Sequence, residues 1–136
     1  YWINEMMCSY NNCKEEPILA YIAKNNKDIV VYDLKMNKLI KKIPSNHNDN
    51  ICCIKHYQVR SFNEDYILTS SYDKSLRVFS SNKDFQCTMN ILNMHDCYGI
   101  YSFVVLKNSS NTFVVSGCSY GQEKFKVWDF SKGTFI

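Results

Sequence analysis

A short polar segment near residue 95 brings together three side chains that could do chemistry. His95, Asp96 and Cys97 are consecutive, and a thiol assisted by an imidazole is the pairing that a cysteine nucleophile uses. Neighbouring side chains on a strand, however, point to opposite faces, and the partner of a catalytic cysteine normally comes from a distant part of the sequence. The pattern therefore favours a structural role for His95, and a thiol-dependent hydrolase remains a rival interpretation.

The cysteines as a set give no metal or disulfide pattern. The chain has seven of them, an odd number without a C-x-x-C pair. Several lie in apolar stretches, such as ICCI at 51–54 and SGCS at 116–119. This spacing fits neither a zinc site nor the disulfide framework of a secreted domain. It predicts free, mostly buried thiols and an intracellular protein of the cytoplasm or nucleus.

Other motifs that would identify a chemistry are missing from the sequence. It contains no H-E-x-x-H, no P-loop and no Rossmann glycine set, and only four glycines. The 16 basic residues exceed the 13 acidic ones by three and are scattered, whereas a nucleic-acid surface needs a dense basic stripe. No apolar run is long enough to cross a bilayer. We expect no enzyme activity, no metal, no cofactor and no membrane, and we do not expect nucleic acid as a direct ligand.

The elements that must position these residues are strands. Aromatic residues make up 15% of the chain, with ten Tyr and eight Phe, and such a composition favours strands over helices. No stretch of ten to twelve residues keeps the 3.6-residue period of a helix. Short apolar runs separated by turn-forming residues instead predict twelve strands in three groups of four. The sequence therefore predicts an all-β fold.

One sequence pattern occurs three times. Residues 29–40 (IVVYDLKMNKLI) and residues 125–136 (FKVWDFSKGTFI) share an order of apolar, aromatic, acidic and polar positions. A third member, SLRVFS at 75–80, lies between them. A pattern that recurs at a fixed distance indicates a repeated supersecondary unit.

The aromatic residues of the pattern give the length of this unit. Tyr32, Phe79 and Trp128 are separated by 47 residues (79 minus 32) and 49 residues (128 minus 79). This spacing slightly exceeds the roughly 40 to 45 residues of a WD40 repeat, and the excess falls in polar loops. The predicted units are residues 1–44, 45–92 and 93–136.

Over nearly the whole chain, these three units resemble the WD40 family of β-propellers. The third unit contains SGCSYGQEKFKVWD and the second contains TSSYDKSLRVF, and both are similar to the family's strand, tight turn and second strand ending in Trp-Asp. The resemblance implies a propeller segment of about three four-stranded antiparallel blades. Because propellers have four to eight blades, we expect more chain or another subunit to supply the missing ones.

The resemblance also implies a hydrogen-bonded set within each blade, joining a loop His, a strand Ser or Thr, a turn Asp and a Trp. The matching residues are His47, Thr69 or Ser71, and Asp73 in the second unit, and His95, Ser116 and Trp128 in the third. Phe79 takes the Trp position of the second unit, the third has no Asp at the expected place, and the first retains only Tyr32 and Asp33. We therefore expect an incomplete network, with the first and third blades less tightly held.

Loops at the rim of a propeller are the expected functional surface, because they are carried on a rigid scaffold. The candidate partner-binding residues are Tyr57, Tyr72, Arg77 and Tyr120, which lie near predicted strand ends. Tyr and Arg are enriched at binding hot spots, although each of the four could instead pack on a neighbouring blade.

The family thus implies a non-catalytic scaffold that mediates protein–protein or protein–peptide interaction in a multiprotein assembly. A nucleic-acid-associated propeller in an RNA-processing complex is the first alternative. The second is the thiol-dependent hydrolase, built on another β fold.

Overall fold

The computed structural model describes residues 3–11, 16–23, 27–59, 64–96, 99–108, 110–118 and 124–136. This part of the chain forms strands and one short 3-10 turn at Ser81–Lys83, with no α-helix among the described residues. All strand pairs are antiparallel. The predicted all-β class is confirmed.

The strands form three sheets, each built from four strands consecutive in sequence. Sheet 1 contains β1 (Ile3–Asn11), β2 (Glu16–Ala23), β3 (Asp28–Asp33) and β4 (Lys38–Pro44). Sheet 2 contains β5 (Ile51–Val59), β6 (Glu64–Ser71), β7 (Leu76–Ser80) and β8 (Gln86–Ile91). Sheet 3 contains β9 (Ser102–Lys107), β10 (Thr112–Gly117), β11 (Phe125–Asp129) and β12 (Thr134–Phe135).

Strands of sheets 1 and 2 differ in burial between the middle and the outer edge of the sheet. In the second strand of sheet 2, the consecutive residues Ile67 and Leu68 are both buried, so β6 is covered on both faces, as its continuous apolar run requires. The fourth strands, β4 and β8, are mostly exposed, and lysine and asparagine in them tolerate water. Strand β6 is therefore interior and strands β4 and β8 lie at the surface, whereas β9, the first strand of sheet 3, is mostly exposed.

Two hydrophobic cores hold the sheets together in a stack. The first core joins sheets 1 and 2 and consists of Ile29, Val31, Ile43, Ile51, Ile54, Ile67 and Phe79. The second core joins sheets 2 and 3 and contains Cys53, Leu68, Leu76, Val78, Ile91, Met94, Ile100, Phe103 and Val114. Sheet 2 is thus the middle layer, with one face on each core.

The first strands of the three sheets lie next to one another, since β1 contacts β5 and β5 contacts β9. Polar bonds add to this contact between sheets. Ser70 of β6 donates its hydroxyl hydrogen to the carbonyl of Ile100, 3.1 Å away, just before β9. Such buried hydrogen bonds fix the relative position of two sheets that apolar packing alone would leave free to slide.

The expectation of free thiols is wrong for Cys118, which is disulfide-bonded. Cys52, Cys53 and Cys87 are free. Pairing depends on whether two Cβ atoms meet in the fold, which sequence spacing does not reveal. In the described part of the chain, no helix has the length and apolar character needed to span a membrane.

Candidate functional site

A buried histidine joins a loop, a strand and a turn of sheet 2. His47 lies in the segment between β4 and β5, and its Nε2 is 2.9 Å from the hydroxyl of Thr69 on β6. Its Nδ1 is 3.0 Å from Oδ2 of Asp73, in the turn between β6 and β7. A neutral ring that donates from Nδ1 to the carboxylate can accept the Thr69 hydroxyl hydrogen at Nε2. The three residues therefore form one continuous chain of hydrogen bonds.

The carboxylate of Asp73 is the centre of this cluster. Beyond His47, it accepts the backbone N–H of Asn48 at 2.8 Å and both the backbone N–H and the hydroxyl of Ser75, at 2.9 and 2.6 Å. Burial by itself would raise the pKa of Asp73, but the hydrogen bonds from His47, Ser75 and Asn48 outweigh it and lower the pKa below its ordinary value. The folded chain thus holds Asp73 ionised.

The order of these groups, carboxylate, imidazole and hydroxyl, is that of a nucleophilic catalytic triad. The burial of the hydroxyl argues against that chemistry. Thr69 is 0% exposed and His47 is 3% exposed, so a substrate carbonyl cannot approach Thr69 Oγ1 in this conformation. The arrangement instead ties the loop before β5 to the β6–β7 turn.

Of the two hydroxyls that the sequence offered to His47, Thr69 is the one in contact. Ser71 has a different position: its hydroxyl donates to the carbonyl of Asp49 at 3.1 Å and accepts the backbone N–H of Asp73 at 3.1 Å. Ser71 therefore shapes the turn that presents Asp73. Phe79, at the predicted Trp position, is 1% exposed and belongs to the first core.

The corresponding pair in sheet 3 is also buried. His95, from the segment between β8 and β9, has its Nε2 2.9 Å from the hydroxyl of Ser116 on β10, and both residues are 1% exposed. The ring of Trp128 packs against the second core and against Phe135, with centroids 4.6 Å apart. Among the described residues, its indole Nε1 has no hydrogen-bond partner. The turn in which an aspartate was expected to be missing lies outside the described residues.

The two residues that the first unit retains make local bonds. The Tyr32 hydroxyl donates to the carbonyl of Asn37 at 2.8 Å, and Oδ1 of Asp33 accepts the backbone N–H of Met36 at 2.9 Å. Both bonds lie within the β3–β4 turn. They stabilise a hairpin and do not connect its loop to a neighbouring strand.

The candidate partner-binding residues are in three different situations. The Tyr57 hydroxyl is 3.0 Å from the hydroxyl of Thr112, and Nη1 of Arg77 donates to the carbonyl of Ser45 at 3.1 Å. Each of these bonds crosses from sheet 2 to a neighbouring sheet or the segment leading from it. Tyr72 is 41% exposed on the β6–β7 turn. Tyr120 lies outside the described residues.

Cys52, which lies near the Asp73 cluster, does not have the low thiol pKa of a nucleophile. Burial, and next the charge of Asp49, raise the pKa of the Cys52 thiol to about 12, so it is protonated at neutral pH and unreactive. Cys97, the other thiol considered from the sequence, lies outside the described residues. Within the described ranges, no cluster of three or more His, Cys, Asp or Glu side chains could hold a metal ion.

Two residues of this region were not predicted from the sequence. Ser75 completes the Asp73 cluster, and the signal was there, because an Asp side chain commonly bonds the backbone two residues further on. Tyr101, just before β9, packs edge to face on Tyr72 with ring centroids 5.4 Å apart. No local pattern could have paired these two rings.

A scan of the sequence against protein-family models finds no match, and a search of curated proteins finds none either.

Proposed function

We propose that the chain is a three-blade segment of a WD40-type β-propeller and acts as a non-catalytic scaffold for protein or peptide partners. The proposal rests on one observation: the side chains that could do chemistry are buried and take part in hydrogen bonds within the protein. His47, in the loop before β5, bonds both Thr69 of β6 and Asp73 of the β6–β7 turn, and Thr69 is 0% exposed. Their chemistry holds a loop and a turn in place, and the ordered connections so produced are the surface that a partner would contact.

The repeated packing of the sheets supports the propeller interpretation. The face that sheet 2 turns to sheet 1 and the face that sheet 3 turns to sheet 2 have equivalent residues at equivalent register positions. The residues are Ile54, Thr69 and Phe79 on sheet 2, and Phe103, Ser116 and Trp128 on sheet 3. Contact of β1 with β5 and of β5 with β9 is also the arrangement that blades adopt around a common axis.

The outward face of sheet 3 supports the expectation of further blades. On sheet 2, Leu76 and Val78 are 0% exposed because sheet 3 covers them. The equivalent positions on sheet 3 are Phe125, which is 70% exposed, and Val127, which is partly exposed. A contiguous apolar sheet face is a typical interaction surface. A further sheet, from more chain or from another subunit, would bury it as sheet 3 buries the face of sheet 2.

The nucleic-acid alternative gains less support from the surface. The lysine pair of β4 is engaged by acids, since Lys41 contacts Asp84 at 2.5 Å and Lys42 contacts Asp28 at 3.0 Å. Lysines neutralised in this way add little to a phosphate-binding stripe. Protein or peptide recognition through the loops is therefore the function that we put forward.

The test is a comparison of loop and strand variants in direct binding. Partners captured by the tagged chain and identified by mass spectrometry are purified, and each binary affinity is measured for Tyr72→Ala, Met36→Ala and Ile40→Ala. The first two change exposed residues of turns, and the third changes an exposed residue of the outer strand β4. We expect one turn variant to weaken binding by about fivefold or more, as for a residue near a hot spot, and Ile40→Ala to have no effect. Equal affinities for all variants, or no captured partner, would contradict the scaffold function.

A further inference from the structure

Two tyrosine rings form an open corner where sheets 2 and 3 meet. Tyr72 and Tyr101 are 41% and 40% exposed, and their rings are nearly perpendicular, at 83°, with centroids 5.4 Å apart. In this geometry the edge of one ring meets the face of the other, so part of each ring remains accessible to solvent. The face of an aromatic ring carries negative electrostatic potential and attracts a cation.

The backbone beneath this corner is fixed by close contacts. The N–H of Tyr72 donates to the carbonyl of Asn50 at 3.1 Å, and the N–H of Tyr101 donates to the carbonyl of Gly117 at 3.1 Å. Gly99 lies directly against Tyr72, since a Cβ added at Gly99 would be 2.4 Å from the Tyr72 Cα. The backbone that carries the two rings is therefore held in place before any ligand binds, and this reduces the entropy lost on binding.

An acidic side chain lies beside the corner. The carbonyl of Asp49 accepts the hydroxyl hydrogen of Ser71, the residue before Tyr72, and Asp49 itself is exposed. Burial raises the pKa of Tyr72, and Cys52, Tyr101 and the negative charge of Asp49 raise it further. The phenol of Tyr72 thus stays neutral. The carboxylate of Asp49 accepts the backbone N–H of Asn50 at 2.7 Å, and the carbonyl of Asn50 accepts the N–H of Tyr72, so this negative charge lies in the segment bonded to Tyr72.

Two lysines of the same region keep their positive charge, but each ammonium group is bound away from the rings' own residues. The ammonium group of Lys74 donates to the carbonyl of Asp96 at 3.2 Å, and that of Lys27 donates to the carbonyl of Asn48. Both are held by backbone oxygens of neighbouring segments. A positive group of another molecule would find two ring faces and a carboxylate together.

We propose that Tyr72, Tyr101 and Asp49 form a binding site for a cationic side chain, Lys or Arg, of a peptide or protein partner. This site rests on the proposed function, because it names the chemistry by which one loop cluster recognises its partner. A neutral apolar side chain would pack on the two rings but would not be attracted by the carboxylate of Asp49. An acidic side chain would be repelled by Asp49.

The test is an NMR titration of the full chain with N-acetyl-arginine amide, N-acetyl-lysine amide and the neutral arginine isostere N-acetyl-citrulline amide. Chemical shifts of the Tyr72 and Tyr101 rings report binding. We expect the two cations to shift these signals and citrulline to bind about twofold to fivefold more weakly, the factor that an exposed cation–π contact provides. Equal binding of arginine and citrulline would overturn the proposal.

Variants test whether cation binding depends on Tyr101 and Asp49 or on the surface in general. Tyr101→Leu and Asp49→Asn should each weaken cation binding by about threefold to fivefold, and Tyr101→Phe should retain it. Phe125→Leu, which removes an exposed aromatic ring of sheet 3, is the matched control and should change nothing. The amide spectrum of each variant shows whether its fold is intact. Unchanged cation binding by folded Tyr101→Leu would also overturn the proposal.

The outcome distinguishes this inference from the scaffold function. If captured partners bind Tyr101→Leu and Asp49→Asn as tightly as the unchanged chain, the cation site is wrong and the scaffold function stands. If no partner is captured and the cations still bind selectively at the two rings, the scaffold function fails and the site stands.

Discussion

Replacement of Asp73 by asparagine tests the buried cluster of sheet 2. The amide keeps one oxygen and replaces the other with an N–H donor, so it cannot accept all the hydrogen bonds that the carboxylate receives from His47, Asn48 and Ser75. The Asp73 side chain is only 8% exposed, so water does not compensate. Because a hydrogen bond to a charged group contributes about 1.5 to 3 kcal/mol, we expect Asp73→Asn to lower the free energy of unfolding by about 2 to 4 kcal/mol.

The assay is urea unfolding followed by circular dichroism and tyrosine fluorescence, with Asp84→Asn as the control. Asp84 also contacts a lysine, but its side chain is 82% exposed, and exposed ion pairs contribute about 0 to 1 kcal/mol. The reasoning would be refuted if Asp73→Asn lowered the free energy of unfolding no more than Asp84→Asn does.

The pH dependence of stability, compared between the unchanged chain and Asp73→Asn, gives an independent test. The pKa of Asp73 is lowered from its ordinary value of 3.8. A carboxyl group with a depressed folded-state pKa contributes stability above its unfolded-state pKa, and this contribution is lost as the pH falls through the folded-state value. The difference in stability between the unchanged chain and Asp73→Asn should therefore be constant near neutral pH and shrink below about pH 4. A difference that grew on acidification would contradict the assignment.

Three further changes test other parts of the fold. Leu76→Ala empties a fully buried position of the second core and should lower the free energy of unfolding by about 2 to 5 kcal/mol, whereas Leu92→Ala, 62% exposed, should change it by less than about 0.5 kcal/mol. Gly99→Ala should destabilise by about 1 to 3 kcal/mol, because the added Cβ would lie 2.4 Å from a backbone carbon. Gly117→Ala, whose nearest contact is 3.8 Å, should be milder in the same urea assay. The Cys52 thiol, with its pKa raised to about 12, should resist iodoacetamide at pH 8 until urea unfolds the chain, as mass spectrometry would show.

The sequence predicted the parts of the fold that depend on local pattern. Alternation, turn residues and β-forming composition are local properties, and they gave an all-β chain with three groups of four strands. The structure also brings together His47, Thr69 and Asp73, which were selected through their resemblance to one family. It shows Thr69, not Ser71, as the partner of His47. The two residues are two apart and share a face of β6, so the path of the loop along the strand decides which hydroxyl His47 meets.

The parts that sequence reasoning left open or missed depend on contacts between sheets. Tyr57 and Arg77 are near strand ends, but each reaches across to a neighbouring sheet or the segment leading from it, and this depends on how two sheets are rotated on their shared core. The contact between Tyr72 and Tyr101 arises in the same way. The disulfide of Cys118 depends on the approach of two cysteines in space. None of these contacts has a local signature.

The most direct test of the proposed propeller segment is the solution mass of the 136-residue chain, measured by light scattering beside the double variant Leu106→Lys and Phe125→Lys. Both positions lie on the outward face of sheet 3 and are exposed. The account predicts that the unchanged chain self-associates above its 16.0 kDa mass, and that the variant is a monomer with the same cooperative thermal unfolding. A monomeric unchanged chain, or a variant that no longer unfolds cooperatively, would contradict the claim that the outward apolar face of sheet 3 binds a further sheet.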